Sequence, residues 1–225
     1  NVSLMAAHET KSENGKGLAA YRSQFYLPEN NFSYSLTNQA DPASSDDSYH
    51  LESYLGRAEY SYDHRYSLSA TFRRDGSSMF APERRWGNFW SVGAAWNMGE
   101  EVWFKSALGR VVNDAKLKVS YGTQGNDGIL DSDGYRIYAP YLDHYTIKNS
   151  GTAESPEFSV VRSYRGNRDI TWEKSKTFNI GIEAGLFGRR LTFEFDYFVK
   201  NTDDMLGCHT LPISGGVSYR ILTNE

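Results

Sequence analysis

Between residues 179 and 201 apolar and polar side chains trade places at almost every step. Ile180, Ile182, Ala184 and Leu186 share one parity, as do Leu191, Phe193, Phe195, Tyr197 and Val199 in the next run, while Glu183, Glu194 and Asp196 take the other. Successive side chains of a strand point to opposite sides of its sheet, so this period of two predicts strands at 176–187 and 190–200, each with one greasy and one charged face. Gly188-Arg189-Arg190 between them predicts a tight turn.

Five further segments alternate in the same way. In 51–62, Tyr54, Gly56, Ala58, Tyr60 and Tyr62 oppose Ser53, Arg57, Glu59 and Ser61; in 65–75, Tyr66, Leu68, Ala70 and Phe72 oppose Ser67, Ser69, Thr71 and Arg73. Segment 89–98 sets Trp90, Val92, Ala94, Trp96 and Met98 against Ser91, Gly93, Ala95 and Asn97, and 116–122 sets Leu117, Val119 and Tyr121 against Lys116, Lys118, Ser120 and Gly122. The run Val2 to His8 is a weaker strand, which makes seven, and the tail from Val217 reads as the start of an eighth.

The connections alternate in length. A loop of roughly 40 residues rich in Ser, Asn, Asp and Pro follows the first strand, and further long connections span 76–88, 123–171 and 203 onward. Tight turns at Asp63-His64-Arg65 and at Gly188 belong to the opposite end. There, 99–115 has a helical spacing of Val102, Trp103, Leu108, Val111 and Val112 that predicts one short helix.

A soluble sandwich also alternates, so other features decide the architecture. Full charges stand in mid-strand at Arg57, Glu59, Glu183, Glu194 and Asp196, which suits a wet lumen and suits a solvated outer face equally well. Aromatic residues sit towards the ends of the apolar face (Tyr60, Tyr62, Tyr66, Trp90, Trp96, Tyr121, Phe187, Tyr197), as girdles at a lipid–water boundary do. Short turns at one end and long loops at the other are the habit of outer-membrane barrels. The prediction is an all-β, antiparallel up-and-down transmembrane barrel segment, about 7 to 8 strands of a larger barrel, with long extracellular loops and a short periplasmic helix. Neighbouring strands are expected at both edges, because an open edge in lipid leaves backbone groups unpaired.

Composition narrows the alternatives. The chain of 225 residues is 15% aromatic with 16 tyrosines, which speaks against disorder even at a mean hydropathy of -0.60. A net charge of -4 speaks against holding nucleic-acid phosphates. A single cysteine, Cys208, leaves no internal disulfide and no Cys-based zinc site, and the histidines at 8, 50, 64, 144 and 209 lack the i, i+4 spacing of a metal pair. No apolar run is long enough for a transmembrane helix, and residue 1 opens inside a strand-like run with no signal segment. No nucleophile elbow, phosphate loop or dinucleotide fingerprint occurs, and carboxylate pairs such as Asp46-Asp47 and Asp203-Asp204 fall in loops, so neither catalysis nor a cofactor is expected.

Three ordered blocks, "ATFRRDGSSMFAPERRWGNFWSVGAAWNMGEE", "VNDAKLKVSYGTQGND" and "GNRDITWEKSKTFNIGIEAGLFGRRLTFEFDYFVKNTDDML", cover about half of the chain and resemble the barrel of the SusC/RagA family of TonB-dependent outer-membrane transporters of Bacteroidota. Departures are local: Met79 stands where a basic residue is usual, Trp90 where a Pro commonly follows Phe, and Arg168 and Ile170 within a stretch that commonly reads GNPDL. The resemblance implies that residues 1–225 are part of a receptor barrel whose plug domain, TonB box and closing strand are absent from this sequence. It further implies energised import of an oligosaccharide or peptide, with TonB and a SusD-like lipoprotein as partners and outer-membrane lipid around the wall. The rival reading is a soluble, secreted β-sandwich carbohydrate-binding module, which would bury the apolar face under a second layer.

Candidate contacts follow from side-chain chemistry. In "DGYRIYAPYLDHYTIKNSG", Tyr135, Tyr138, Tyr141 and Tyr145 cluster with Arg136, Asp143 and His144; aromatic faces stack on sugar rings and polar neighbours bond hydroxyls, or else the tyrosines pack the loop down. Arg57, Glu59, Arg73, Glu183, Glu194 and Asp196 are expected to face the lumen. Asp127, Asp131 and Asp133 near Gly134 resemble an oxygen-rich calcium loop without its closing bidentate Glu, and Asp-Gly turns account for them equally.

Overall fold

The computed structural model describes residues 1–25, 35–130, 136–149, 155, 157–210 and 220–224. Seven antiparallel strands form one sheet: β1 (Val2–Phe25), β2 (Ser35–Tyr62), β3 (Tyr66–Ser77), β4 (Trp86–Asn97), β5 (Val112–Asn126), β8 (Glu173–Leu186) and β9 (Leu191–Asp203), hydrogen-bonded in that order. Between β5 and β8 the chain leaves to form β6 (His144–Asn149) and β7 (Phe158–Arg165), and after β9 it adds β10 (Leu206–Thr210) and β11 (Arg220–Asn224). These four make a second sheet in the order β10-β11-β7-β6, so the chain's tail extends this loop-end sheet and is not an eighth wall strand.

Register carries the alternation across the whole wall. One row of residues in register reads Val2, Tyr60, Leu68, Ala94, Val119, Ile180, Tyr197, and the row two residues along reads Leu4, Ala58, Ala70, Val92, Tyr121, Phe178, Val199. A slip of one residue in any pair would mix charges into these rows, which is why the pattern specifies the pairing. Nothing covers this face among the described residues: Leu68, Val119, Ile180 and Phe193 are all exposed, at 53%, 37%, 37% and 52%. A soluble sandwich would have buried them.

Strand length agrees with a membrane wall. The 12 residues of β3, at about 3.3 Å each and tilted by about 40°, rise by roughly 30 Å, the thickness of the hydrocarbon layer. At the short end Asp63 and His64 both adopt positive φ, 48° and 55°, the left-handed central pair of a tight turn closed by the Arg65 N–H donating to the Tyr62 carbonyl at 2.9 Å. The other hairpin turns through Phe187, Gly188 and Arg189, and α1 (Val102–Leu108), preceded by a 3-10 turn at Met98–Glu100, links β4 to β5. The predicted short helix lies at the predicted end.

Two further expectations change. The supposed loop of about 40 residues is largely a two-stranded ribbon in which β1 and β2 stay paired beyond the sheet. The described outer part of β1, Glu9 to Leu18, is exposed on both faces, so no alternation marks it. Tyr197, expected near a girdle, stands midway along β9 beside Phe195 and Phe193, so this strand is aromatic through its centre.

The buried core sits at the loop end and on the opposite face. Tyr49, Met79, Phe80, Phe89, Ile129, Tyr164, Ile170 and Trp172 form it, with Leu51 and Tyr138 packed alongside. Met79 and Ile170, both departures from the family pattern, are 0% and 1% exposed, so both fill closed sites of this core.

Candidate functional site

The polar face is a connected array of charges. Register places Arg57, Glu59, Arg73, Glu183, Glu194 and Asp196 on the side opposite the apolar rows, as their parity requires. Arg57 and Glu59 pair along β2. Arg73 donates to Asp75 at 2.6 Å and to Ser53 Oγ at 3.0 Å, and lies 3.6 Å from Glu9 on β1. Lys118 on β5 is the hub that the sequence did not mark out: its ammonium donates to Glu183 and, at 3.0 Å, to Glu194, so one cation joins three strands. The β8–β9 pairing sets Glu183 opposite Glu194, a like-charge pair that Lys118 offsets.

A groove of about 650 Å³ runs across this face, lined by Arg57, Glu59, Lys118, Ser120, Asn179 and Asp196. Gly181 belongs to its floor for a steric reason, since a Cβ there would stand 1.9 Å from Asp196 Oδ1. The Asp196 carboxylate occupies the space that a side chain at 181 would take.

Above the groove the loops pack down. Trp172 meets Phe89 edge-on at 5.4 Å and Phe80 at 5.2 Å, and its indole N–H donates to the Arg85 carbonyl at 2.9 Å. Gly125 on β5 admits the Phe89 ring, which a Cβ would meet at 2.0 Å. Asp127 accepts hydrogen bonds from Tyr49 at 2.8 Å and Ser77 at 2.6 Å, tying β2, β3 and the β5 loop together. Burial and that neighbouring carboxylate push the Tyr49 phenol well above its ordinary range, so it remains a donor. A second pocket of about 350 Å³ lies beneath this layer, lined by Arg73, Asp75, Thr123, Gln124, Asp127 and Trp172.

The aromatic loop is divided by the fold. Tyr138 packs against the buried cluster and Arg136 lies over the Tyr49 ring, 4.6 Å from its centroid. Tyr141 is half-buried, Tyr145 is exposed on β6 with its hydroxyl 3.2 Å from Asp143, and Tyr135 lies outside the described residues. The Gly166 N–H, with Arg162 and Tyr145 behind it, holds the Asp143 carboxyl below its usual range. His144 stacks obliquely on Tyr164 at 5.1 Å. Asp131 and Asp133 also lie outside the described residues, and Asp127 is engaged by hydroxyls.

An uncovered apolar face, a charged reverse face and loops gathered at one end define a sector of a transmembrane β-barrel wall. Comparison with known proteins agrees: the family described as "TonB dependent receptor-like, beta-barrel" matches residues 5–224. The chain is 37% identical to TonB-dependent receptor P39 of Formosa agariphila over 75% of its length, and 33% identical to TonB-dependent receptor SusC of Bacteroides thetaiotaomicron over 77%. It covers 15% and 17% of those two proteins. Among solved structures it superimposes on the RagAB peptide importer in the "closed-closed" state with a TM-score of 0.82 and 28% identity, over 99% of this chain and 24% of that one. The chain belongs to the TonB-dependent receptor β-barrel family, in its SusC/RagA group, and is an outer-membrane protein of a Gram-negative bacterium. The long loops are therefore extracellular and α1 is periplasmic.

Proposed function

We propose that this chain forms a sector of the wall of an energised importer that takes oligosaccharides or peptides across the outer membrane. The observation that carries the reading is the two-sided sheet: lipid suits one face, and the charged array of Arg57, Glu59, Arg73, Lys118, Glu183, Glu194 and Asp196 suits a water-filled lumen on the other. Among the described residues β1 pairs only with β2 and β9 only with β8. In a bilayer both outer edges need partners, so further strands belong to the proposed transporter; a plug domain and TonB enter the proposal through the likeness to TonB-dependent receptors.

The extracellular layer supports the partner and substrate. On β6 and β7, Ile147 opposes Val160, flanked by Tyr145 and Phe158, and all four are exposed. That apolar patch is the surface proposed to receive a SusD-like lipoprotein, in keeping with relatives named SusC and RagAB. Tyr141 and Tyr145 supply stacking faces for a sugar ring or peptide side chain, while Arg136 and Tyr138 hold the loop onto the core.

Deletion of the gene should abolish growth on one class of oligosaccharide or peptide, and the full-length protein should co-purify with a surface lipoprotein in detergent. Ile147→Ser with Val160→Ser should lose the lipoprotein while the barrel still assembles. Unchanged growth on every such nutrient, together with a barrel that purifies alone, would overturn the proposal.

A further inference from the structure

The periplasmic end carries an apolar surface beyond what a wall strand needs. Glu101, only 8% exposed, accepts hydrogen bonds from Tyr66 Oη at 2.7 Å, Trp96 Nε1 at 3.2 Å and Arg65 Nη1 at 3.3 Å. These bonds pin the start of α1 to the ends of β3 and β4, and Phe104 is buried. At about 100° per residue, Val102, Trp103, Ser106 and Ala107 share an arc of about 140°, all exposed, with Phe104 and Lys105 outside it on either flank. Ser106 turns its hydroxyl back onto the Trp103 carbonyl at 2.9 Å, so this arc presents little that water would bond.

The arc is continuous with the lipid-facing wall. Tyr66 stacks on Trp96 with centroids 6.4 Å apart, and Trp96 lies 6.4 Å from Trp103. Tyr66 and Trp96 belong to the apolar rows, so the aromatic row passes without a break from strand to helix. Lys105 is paired with Glu100 at 2.6 Å, outside the arc.

We propose that α1 is an interfacial helix that seats its Val102–Trp103–Ala107 side in the headgroup–acyl boundary of the inner leaflet, fixing the height of this sector in the bilayer. An amphipathic segment lying in the interface plane with Trp on its apolar side is the arrangement this boundary favours. The occupant is lipid, because the surface extends the lipid-facing wall itself.

The test uses the full-length protein in an otherwise cysteine-free background, with nitroxide labels on Trp103→Cys, Ala107→Cys or Lys105→Cys, in phosphatidylethanolamine–phosphatidylglycerol vesicles. Labels at 103 and 107 should collide more with oxygen than with a water-soluble nickel complex, and the label at 105 should show the reverse. Equal access to nickel at all three positions would place the helix in water and overturn the proposal. Shielding of 107 from both reagents would overturn it as well, because a protein partner would then cover the arc in place of lipid. Ala107 is small and exposed, so its label keeps the test decisive if removing Trp103 impairs assembly.

Discussion

The middle of the wall and its extracellular end are built from the same strands, yet they place their greasy side chains on opposite faces. In the middle, Leu68, Val92, Val119 and Ile180 stand uncovered on the outer rows, while Lys118 and Glu183 meet on the inner side. At the loop end, Leu51 and Phe89 take the inner parity and meet Phe80, Ile129 and Trp172 descending from the loops. The difference lies in the solvent: parity alone does not say inside or outside, because lipid accepts apolar groups without any protein partner, whereas a loop layer must bring its own.

The largest test of this contrast is Phe80→Ala, which empties a fully buried site and should cost about 3 to 5 kcal/mol. Native-state hydrogen exchange should show the loss confined to amides of the loop layer, with β3 to β5 still protected. If protection falls equally across the sheet centre, the two regions form one cooperative unit and the contrast fails.

Next is charge on the outer face. Val119→Arg should destabilise the membrane-inserted state by about 2 to 4 kcal/mol if the position lies near the midplane, measured by denaturant unfolding from vesicles. The neighbouring Ser120→Arg faces the groove and should be close to neutral. Equal penalties at the two sites would mean that the faces do not meet different solvents.

Gly125→Ala puts a methyl group into the Phe89 ring, and overpacking of this kind should cost about 1 to 3 kcal/mol. Gly56→Ala, on the outer face with open space around the new Cβ, should be silent by comparison.

The smallest effect is a pH response at the periplasmic end. Hydrogen bonds from Tyr66 and Trp96, then Arg65, hold the Glu101 carboxyl below its ordinary value of about 4.3. A depressed folded value means that the stabilisation is complete above the ordinary value and is lost as pH falls through the folded one. A label at Ala107 should therefore keep constant mobility from neutral pH down to the ordinary carboxylate value and loosen only in stronger acid, and Glu101→Gln should remove that step.

Wherever the two faces of a strand meet different solvents, the sequence was legible. The seven wall strands, both tight turns and the short helix at 102–108 follow from period and turn chemistry, and so does the shared face of Arg57, Glu59, Glu183, Glu194 and Asp196. The ribbon of β1 and β2 was hidden because water wets both its faces and erases the period. The short strands β6, β7, β10 and β11 were hidden because runs of 5 to 8 residues carry too few alternations to stand out from a loop. Lys118 looked like any inner-face lysine until register set Glu183 and Glu194 around it.

What this sequence determined by itself is the two-solvent sheet: alternation over seven segments sets strand, face and register together, since a slip of one residue would carry charge into lipid. What only the tertiary structure decided is which distant groups meet: Trp172 on Phe89, Tyr49 and Ser77 on Asp127, Tyr66 and Trp96 on Glu101. Those contacts join residues far apart in the chain or on different elements, and no local period records a contact between elements until the strands have been laid side by side.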